Sequence, residues 1–515
     1  MNGADALMQA LADGGITHCF TNPGTTEIHL VAALAREPRI RPVLGLFEGV
    51  CSGAADGFGR MTGRPAATLL HLGPGLANAL ANLHNARRAG TPVVNLIGDH
   101  PAAHRPNDPP LASDIATLAA PVSGWVGEAA SAAALPEQGL AALRAALGRP
   151  GQVASLVVPA DCAWSEAAPI PVDGPEPVFE PPAEADLAEA VRMLQAGVPT
   201  GLLLGGPALL EPGLRAAARI AKKSGAVILS NTFAARFVRG AGLPLVRRLP
   251  YFPERARKRL AEFAQLIVIN AAVPTSFFAY PHCSLDVLAA GCRVHTLAGP
   301  RQDGARVLAA LAEALGAGQE MPETVRAQRP ELPAGAALTT ESIGAVIGAL
   351  LPEEAIVSDE SGTSGEFAFR GTMGAPPHDW LCLTGGAIGQ GVPVATGAAL
   401  ACPGRKVLCL QGDGGAMYTL QALWTQARER LDVITVIFAN RKYQILQVEL
   451  MRLGFNAPAA GILDTMDLGR PDLDWVKLAE GQGVPATAAG TVDGFRAALA
   501  RALAEPGPHV IVAQL

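Results

Sequence analysis

A carboxylate and an amide side chain stand at the ends of two consecutive strand-like runs in the last third of the chain. The first run, KVLCLQG, is followed by Asp413 within a GDGG turn, and the second run, DVITVIFAN, ends on Asn440. The carboxyl ends of neighbouring parallel strands meet at one sheet edge, where α/β folds bind ligands. Carboxylate and amide oxygens are ligands that Mg²⁺ prefers, with further positions for carbonyl and phosphate oxygens. The spacing therefore predicts a magnesium and phosphate site.

The glycines around Asp413 suit a phosphate-binding turn. Gly412, Gly414 and Gly415 remove side chains where a phosphate must approach, and the amphipathic helix expected next would supply N–H donors. Gly-Asp-Gly is also ordinary turn chemistry, so a plain strand-to-helix turn with a capping aspartate is the alternative. The joint spacing of Asp413 and Asn440 favours the binding site.

Strand-like and helix-like stretches alternate along the chain and must position these groups. The strand-like stretches are almost continuously apolar, which indicates parallel sheets buried on both faces. The prediction is an α/β fold with three doubly wound parallel-sheet domains. The strand-like stretches cover residues 17–22, 41–46, 65–72, 92–98, 201–206, 226–231, 266–273, 293–298, 354–361, 406–412, 432–440 and 509–515.

Two proline- and glycine-rich stretches divide the 515 residues into three segments of domain size. These stretches cover residues 166–184 and 316–336. The predicted domains are an N-terminal domain over 1–165, a central α/β domain over 180–320 and a C-terminal domain over 337–515.

The composition excludes several classes of protein. Aromatic residues make up 5% of the chain and the net charge is −6, so no basic surface or base-stacking platform for nucleic acid is expected. The first basic residue is Arg36, unlike in a signal or transit peptide. The uncharged stretch 380–404 is interrupted by glycines, which does not suit a membrane span. We expect a cytoplasmic protein without nucleic-acid or membrane partners.

GDGG is followed, after a helix and a strand, by the dipeptide AN, and in this the chain resembles the thiamine diphosphate (ThDP) enzymes of the acetolactate synthase, benzoylformate decarboxylase and pyruvate decarboxylase group. The family signature ends in NN, so this sequence departs from it at one position and keeps the asparagine. The resemblance implies that Asp413, Asn440 and the backbone carbonyl of Lys442 bind Mg²⁺. It also implies that Tyr443 contacts the cofactor and that the segment 337–515 binds the diphosphate.

A glutamate at the start of a helix carries the N-terminal part of the resemblance. TNPGTTEIHLVAAL (21–34) and LGLFEGVCSGAADGFGRMTG (44–63) are similar to the family's pyrimidine-binding domain. The resemblance places Glu48 against the cofactor's pyrimidine, where its carboxyl favours the imino tautomer that removes the thiazolium C2 proton. It also makes Asn78 a cofactor contact. The residues alone, without the distant metal motif, favour the alternative that Glu48 is a first-turn carboxylate that complements the helix dipole.

Two loops fit the same family. TGGAIGQGVP resembles the loop that holds the aminopyrimidine, which implies an apolar contact from Ile388 and a carbonyl contact from Gly386. DESGTS resembles the diphosphate-side loop, with Gly362 and Thr363 as donors. The alternative for Ile388 is an ordinary core residue.

The candidate acid–base groups for a substrate are Thr25, His71, His100 and His104. HLGPGLANALAN resembles the family's GPG loop, and its His71 falls at the place of an active-site histidine of benzoylformate decarboxylases. His71 also ends an apolar strand, so a satisfied core histidine is the alternative. His100 and His104 lie in a proline-rich loop where pyruvate decarboxylases carry a histidine pair at another spacing. A solvated loop is the alternative there.

Two positions that carry acid–base groups in the resembled enzymes are apolar here. Phe277 and Phe278 fall where benzoylformate decarboxylases carry a second histidine, and Leu446 falls where pyruvate decarboxylases use a glutamate. Ile445 and Leu446 form an apolar wall, as in acetolactate synthases, while Glu449 faces either the pocket or solvent. A well-placed general acid contributes roughly 10²–10⁴-fold to a rate. The missing acids therefore favour transfer of the acyl group over its release as an aldehyde.

The predicted function is ThDP- and Mg²⁺-dependent decarboxylation of a small 2-oxo acid, with the acyl group transferred to a second carbonyl as in acetolactate synthase. The alternatives are a benzoylformate decarboxylase-like lyase that releases an aldehyde, and a non-catalytic scaffold with the ThDP fold. The joint presence of Glu48, Asp413 and Asn440 disfavours the scaffold.

Further cofactors and partners follow from the same comparison. No GxGxxG follows a strand, which disfavours a dinucleotide-dependent oxidoreductase. FAD, which acetolactate synthases bind in the middle domain, is left open but not favoured. The resemblance implies a homodimer at minimum, with a tetramer as the larger alternative, because Glu48 of one chain would meet the diphosphate site of another.

Overall fold

The computed structural model describes residues 1–281, 283–319, 324–333, 337–455 and 460–515. Within these residues the chain forms three β-sheets, of six, five and seven strands, which pack against helices. The strand pairs described are parallel except for one edge strand of the third sheet. The predicted α/β class with three doubly wound sheets is confirmed.

The first sheet is formed by the N-terminal third of the chain. Its strands are β1 (His18–Thr21), β2 (Arg41–Leu44), β3 (Ala66–Leu70), β4 (Val93–Asp99), β5 (Trp125–Glu128) and β6 (Val153–Pro159). The helices of this part are α1 (Gly3–Asp13), α2 (Ile28–Arg36), α3 (Glu48–Thr62), α4 (Leu72–Ala89), α5 (Ile115–Ala119), α6 (Leu135–Leu147) and α7 (Ala160–Trp164). The strand order is β2-β1-β3-β4-β6-β5, and every residue of β3, β4 and β6 is buried. Burial on both faces accounts for their continuous apolar character.

The middle part of the chain forms the second sheet. The strands in this part of the chain are β7 (Thr200–Leu204), β8 (Val227–Ser230), β9 (Phe237–Arg239), β10 (Arg247–Arg248), β11 (Gln265–Ile269) and β12 (Arg293–Ala298). Its helices are α8 (Glu184–Gln195), α9 (Glu211–Ser224), α10 (Pro253–Leu260) and α11 (Gly304–Ala314). The strand order is β10-β8-β7-β11-β12, so β9 does not belong to this sheet.

The third sheet follows in the C-terminal part. Its strands are β13 (Ile356–Glu360), β14 (His378–Cys382), β15 (Val407–Gly412), β16 (Val433–Ala439), β17 (Ala486–Ala489) and β18 (His509–Gln514). The helices are α12 (Thr340–Leu350), α13 (Glu366–Gly371), α14 (Gly391–Ala401), α15 (Asp413–Ala416), α16 (Ala422–Glu429), α17 (Gln444–Arg452), α18 (Ala460–Asp464), α19 (Trp475–Gly481) and α20 (Val492–Ala504). The strand order is β17-β18-β16-β15-β13-β14-β9.

Strand β9 departs from the predicted all-parallel arrangement. It lies in the middle part of the sequence but pairs antiparallel with β14, with Val238 opposite Asp379. Its buried Arg239 stacks on the Phe369 ring at 3.8 Å and donates to Thr372 Oγ1 at 2.6 Å. These contacts come from the third part of the chain, so the docking of β9 depends on residues far away in sequence.

Helices α3 and α14 join the first part of the chain to the third. A Cβ on Gly57 would lie 2.1 Å from the Val394 carbonyl oxygen, and one on Gly397 would lie 1.9 Å from the Ala54 carbonyl oxygen. Glycine is therefore required on both helices for this close approach. Because α14 (Gly391–Ala401) is buried along most of its length, the second half of the uncharged stretch forms an internal helix. No described helix is long and apolar enough to cross a membrane.

A buried ion pair within α3 lies beside the same interface. The side chains of Arg60 and Asp56 are 1% and 0% exposed, and their charged groups meet at 2.6 Å. Arg60 also donates to the Cys382 carbonyl at 2.7 Å and to Thr384 Oγ1 at 3.0 Å. The pair thereby links α3 to the segment that follows β14.

Candidate active site

The ends of β15 and β16 are neighbours, as the spacing of Asp413 and Asn440 predicts. The two strands pair in parallel, with Gly412 opposite Phe438. Asp413 begins α15 directly after β15, and Asn440 directly follows β16. Both side chains therefore belong to the carboxyl edge of the third sheet.

The Asp413 carboxylate is buried, with 4% of the residue exposed. Its Oδ1 accepts the Gly414 N–H at 2.9 Å, and its Oδ2 accepts the Arg441 N–H at 2.7 Å. Burial raises the pKa of Asp413, and the N–H donors offset only part of this effect. A cation beside the carboxylate would compensate for its lost hydration.

Asn440 and Lys442 supply two more hard oxygens at this edge. Asn440 Oδ1 accepts the Lys442 N–H at 3.2 Å. The Lys442 carbonyl accepts the Gln444 N–H at 3.0 Å and keeps a second lone pair. Among the described residues, no three His, Cys, Asp or Glu side chains gather into a metal site. A metal at this edge would thus depend on one carboxylate, one amide and one carbonyl oxygen.

The glycines of the GDGG turn differ in what surrounds them. A Cβ on Gly414 would lie 2.3 Å from the Tyr443 ring, and one on Gly415 would lie 2.5 Å from Glu360 Oε1. A Cβ on Gly412 would meet nothing closer than 3.7 Å. Gly414 and Gly415 are therefore already required by the chain's own packing, whereas the space beside Gly412 is open to a ligand.

The single amphipathic helix expected after GDGG is two helices. α15 has four residues, and α16 begins at Ala422. Between them, the Thr419 hydroxyl donates to the Gly389 carbonyl at 2.8 Å. The helix is interrupted where Thr419 contacts the segment after β14. The same contact connects the GDGG turn to the predicted aminopyrimidine loop.

The predicted aminopyrimidine loop, residues 384–393, includes the first turn of α14, and side chains of α4 hold the part that precedes this helix. The contacts are His84 Nε2 with the Gly385 carbonyl (3.1 Å), Asn85 Nδ2 with the Ala387 carbonyl (2.8 Å) and the Ala387 N–H with Asn85 Oδ1 (3.2 Å). Gly386 is exposed at a left-handed φ of 79°, and Ile388 is half-buried. The loop is thus fixed from the first part of the chain while these two residues stay accessible.

Glu360 was not among the predicted site residues, yet it organises the same loop. It ends β13 and is buried, and its carboxylate accepts the Gly389 N–H at 2.7 Å and the Gly391 N–H at 2.5 Å. Desolvation raises the pKa of Glu360, and the N–H donors act in the opposite direction. The available signal was an acidic residue that closes an apolar strand, in the DES of DESGTS.

Glu48 is the first residue of α3 and is 8% exposed. Its Oε2 accepts a hydrogen bond from Asn78 Nδ2 at 3.0 Å. Asn82 Nδ2 donates to the carbonyls of Gly49 at 2.8 Å and Gly389 at 3.2 Å, which joins the start of α3 to the aminopyrimidine loop. Asn78, predicted as a cofactor contact, therefore also fixes the carboxyl of Glu48.

The predicted diphosphate-side residues are exposed in a turn after β13. Gly362 has a φ of 57°, and a Cβ there would have no atom within 4 Å. Thr363 is exposed beside it. Asp359 Oδ1 accepts hydrogen bonds from the Ser361 N–H at 3.2 Å and hydroxyl at 2.5 Å, which fixes the start of the turn. Helix α17 packs against this turn.

His71 is paired with a carboxylate that was not predicted. β3 ends at Leu70 and His71 caps α4, so His71 follows the strand, and residues 73–75 form a helical turn where a loop was expected. His71 Nδ1 lies 2.7 Å from Oε2 of Glu27, which is fully buried. Thr25 is exposed in the preceding turn. The available signal was a lone glutamate in TNPGTTE, directly before an apolar helix.

His104 is exposed and belongs to a separate cluster. Its ring lies 5.6 Å from the His100 ring, centroid to centroid. The same loop is fixed by Arg105, which pairs with Asp99 at 2.8 Å and Glu128 at 2.6 Å. Among the described residues, no hydrogen bond or ring contact joins His104 to Thr25 or His71.

Apolar side chains are exposed beside the aminopyrimidine loop and at the start of α17. They are Phe277 (42%), Phe278 (52%) and Leu446 (45%). The Phe277 ring is the nearest neighbour of a Cβ placed on Gly386, at 3.5 Å. Glu449 Oε1 accepts the Tyr280 hydroxyl at 3.1 Å, so this carboxylate is engaged by the middle part of the chain.

The glycines of GLLLGG, considered for a flavin, contact the chain itself. A Cβ on Gly205 would lie 2.3 Å from the Asn270 carbonyl oxygen. Gly206 has a φ of 46° and also lies beside Asn270. Close packing explains Gly205 and the left-handed φ explains Gly206, in both cases without a second cofactor.

Two family models match the chain. The thiamine pyrophosphate enzyme N-terminal TPP-binding domain matches residues 1–118, and the thiamine pyrophosphate enzyme C-terminal TPP-binding domain matches residues 361–513. Together they cover more than half of the chain. The chain therefore belongs to the thiamine pyrophosphate enzymes, and the predicted family is confirmed.

Individual relatives cover almost the whole chain. A Mycobacterium tuberculosis (strain H37Rv) protein described as "Putative acetolactate synthase large subunit IlvX" is 51% identical over 99% of this chain and 98% of its own. Benzoylformate decarboxylase of Pseudomonas aeruginosa is 29% identical over 98% and 97% of the two chains. ThDP-dependent 4-hydroxybenzoylformate decarboxylase of Rhodococcus jostii RHA1 matches with a TM-score of 0.86 at 25% identity, over 100% and 99% of the two chains. The chain is a ThDP-dependent enzyme related to both groups.

The site residues fit ThDP together with a divalent cation. The desolvation of the buried Asp413 carboxylate is only partly compensated by its N–H donors, and the turns at Gly362 and Gly412 leave open space that a diphosphate could occupy. When bound, ThDP supplies the nucleophilic carbon that allows a 2-oxo acid to lose CO₂. The contribution of this chain is to bind, orient and desolvate the reacting groups.

Proposed function

We propose that this enzyme decarboxylates a small 2-oxo acid with ThDP and Mg²⁺ and transfers the acyl group to a second carbonyl compound. The exposed apolar residues Phe277, Phe278 and Leu446 carry the proposal, because they stand beside the aminopyrimidine loop and at the start of α17. Because apolar side chains stand at these positions in place of acid–base groups, fewer proton donors are available for aldehyde release. An apolar wall also excludes water. The mycobacterial relative described as an acetolactate synthase subunit supports the same choice.

The cofactor contacts proposed for this chain follow the geometry of the site. Mg²⁺ would be held by Asp413, Asn440 and the Lys442 carbonyl. The residues proposed to hold ThDP are Glu48, Asn78, Gly362, Thr363, Gly386, Ile388, Gly412, Gly414, Gly415 and Tyr443. In this arrangement Glu48 meets the pyrimidine and the GDGG turn meets the diphosphate.

A lyase that releases an aldehyde is the second candidate, favoured by one observation. His71 is held by the buried Glu27 carboxylate at 2.7 Å and is 22% exposed, so one oriented proton donor remains. The relatives described as benzoylformate and 4-hydroxybenzoylformate decarboxylases point the same way.

Product analysis separates these two functions. Pyruvate and other 2-oxo acids, alone and with an added aldehyde acceptor, are expected to yield mainly the carbon–carbon coupled product. The measurement is chromatography of all products with and without ThDP and Mg²⁺. Free aldehyde as the main product at saturating acceptor would replace the transferase with the lyase.

We further propose that the active site forms between two chains, with a homodimer at minimum and a tetramer as the larger alternative. No residue of α17 is buried within one chain. The large apolar residues exposed between positions 444 and 455 are Leu446 (45%), Met451 (53%), Leu453 (50%) and Phe455 (52%). An exposed apolar surface of this kind is typical of an interface.

Complementation tests the shared site. Glu48→Gln and Asp413→Ala chains, each inactive alone, are mixed, dissociated and allowed to reassociate. If Glu48 of one chain serves the metal site of the other, each mixed dimer has one intact site, and about a quarter of wild-type activity returns. Sedimentation measures the size of the active species. An active monomer, or no recovery in confirmed mixed dimers, would contradict the proposal.

A further inference from the structure

Glu27 is a fully buried carboxylate to which the proposed catalytic machinery assigns no role. Its Oε2 accepts the Gly24 N–H at 3.1 Å and lies 2.7 Å from His71 Nδ1. Its Oε1 is buried and has no hydrogen-bond partner in the described chain. A buried acid with one unsatisfied oxygen is costly, so packing alone does not account for a glutamate at this position.

Two glycines make room for this pair. A Cβ on Gly24 would lie 2.0 Å from His71 Nδ1, and a Cβ on Gly98 would lie 1.9 Å from Glu27 Oε1. Neither residue has a left-handed φ, so the backbone conformation does not demand glycine there. The space that these glycines leave is taken by the two side chains.

The pair lies next to the proposed cofactor-activating carboxyl. A Cβ on Gly75 would lie 3.2 Å from Glu48 Oε1 and 3.3 Å from His71 Cβ, so both residues flank one position of α4. His71 Nε2 makes no hydrogen bond within the described chain. His71 thus has one nitrogen fixed by Glu27 and the other free.

We propose that Glu27 is a positioning residue that keeps the proton of His71 on Nδ1, so that Nε2 is the atom that exchanges protons with the substrate. Because the Gly24 N–H can only donate, Oε2 acts as an acceptor, and it accepts the Nδ1–H of His71 in the same way. An acidic partner that fixes a histidine tautomer is a general device of acid–base catalysis.

The inference rests on the proposed function for its chemical step. When CO₂ departs, the electron pair left on the carbonyl carbon forms a bond to the carbonyl carbon of the second substrate. The π electrons of that second carbonyl move to its oxygen, which takes the proton from His71 Nε2 as the N–H bond breaks. His71, which has taken up this Nε2 proton from solvent to become imidazolium, returns to neutral imidazole and keeps its Nδ1–H towards Glu27.

The test reads the tautomer of His71 by nitrogen NMR of ¹⁵N-histidine-labelled holoenzyme, with His71→Asn to assign its signals. Wild-type His71 is expected in the Nδ1–H form. Glu27→Met removes the acceptor, so His71 should lose its preference for that form. We expect kcat to fall about 10²–10⁴-fold while KM and ThDP affinity change less than about threefold. Glu27→Gln keeps an acceptor oxygen and should retain the tautomer and more of the activity.

Two further variants make the outcome decisive. Gly98→Ala keeps both Glu27 and His71 in the sequence, but the added Cβ would push the Glu27 carboxylate away from its position. His71 should then also lose its preference for the Nδ1–H form. Glu137→Gln changes an exposed glutamate paired with Arg144 and should change nothing. An Nε2–H form in the wild type, or an unchanged tautomer in Glu27→Met, overturns the inference. If Glu27→Met fails to fold, the wild-type and Glu27→Gln spectra decide.

Failure of the proposed function gives a different result. A wild-type enzyme that turns over no 2-oxo acid would reject the proposed reaction. The tautomer of His71 in that same protein would still confirm or overturn the positioning role of Glu27.

Discussion

Asp413→Ala is expected to lower the affinity for Mg²⁺ and for ThDP by more than about 100-fold, since even outer-shell partners of a metal site are worth about 10–100-fold. The change removes the one carboxylate of the proposed metal site and leaves only the neutral oxygens of Asn440 and Lys442. Without the cation, the diphosphate would face the turn with backbone donors alone. Activity should disappear with the cofactor.

Calorimetry measures this effect directly. ThDP is titrated into wild-type and Asp413→Ala protein, with Mg²⁺ and again with EDTA. The apo variant should remain folded, because removing a carboxylate that is buried and desolvated removes an energetic cost from the apo protein. Asp472→Ala removes a nearby carboxylate whose side chain is 59% exposed, and should leave both affinities unchanged. Undiminished ThDP affinity in Asp413→Ala, or in EDTA, would refute the metal assignment.

Glu48→Gln should bind ThDP with nearly wild-type affinity and lose roughly 10²–10⁴-fold in kcat, the range of a general acid–base group. Glutamine keeps the shape of the side chain, and its amide oxygen can still accept from Asn78 Nδ2. Its amide group cannot hold the proton that the Glu48 carboxyl would share with the pyrimidine of bound ThDP. Binding and turnover should therefore separate in this variant.

Exchange of the cofactor's C2 proton for deuterium, followed by NMR after acid quench, measures the step assigned to Glu48. The rate should fall in Glu48→Gln in proportion to kcat. Glu341→Gln is the matched control, because Glu341 is also a first-turn glutamate of a helix and is exposed. An exchange rate equal to that of the wild type would mean that Glu48 is only a helix-start carboxylate without a chemical role.

The sequence predicted the parts of the site that depend on local pattern. The apolar runs before Asp413 and after the next helical stretch are neighbouring parallel strands, and the two polar residues meet at one sheet edge. Continuous apolar character and a polar residue at the strand end were sufficient for this, because parallel strands in such folds share a direction. The glycine-rich turns were predicted in the same way.

The contacts that complete the site were not visible in local pattern. Glu27 reaches His71 from 44 positions away, and Glu360 accepts from Gly389 and Gly391 about 30 positions away. Each is a single acidic residue at the end of an apolar element, and that local signal does not identify its partner. Only packing shows that one carboxylate is buried against a histidine and the other against two backbone N–H groups.

From the amino-acid sequence alone, this chain was determined to be an α/β protein with a strand-end aspartate and asparagine, and similar to the ThDP enzymes. These properties follow from hydrophobic periodicity and short motifs, which act over a few residues. The tertiary structure decided which sheet β9 joins, how α4 holds the loop at 384–389 and which acid pairs with His71. Those outcomes depend on distant surfaces that must fit together, and the shape and hydrogen bonding of such surfaces exist only once the chain has folded.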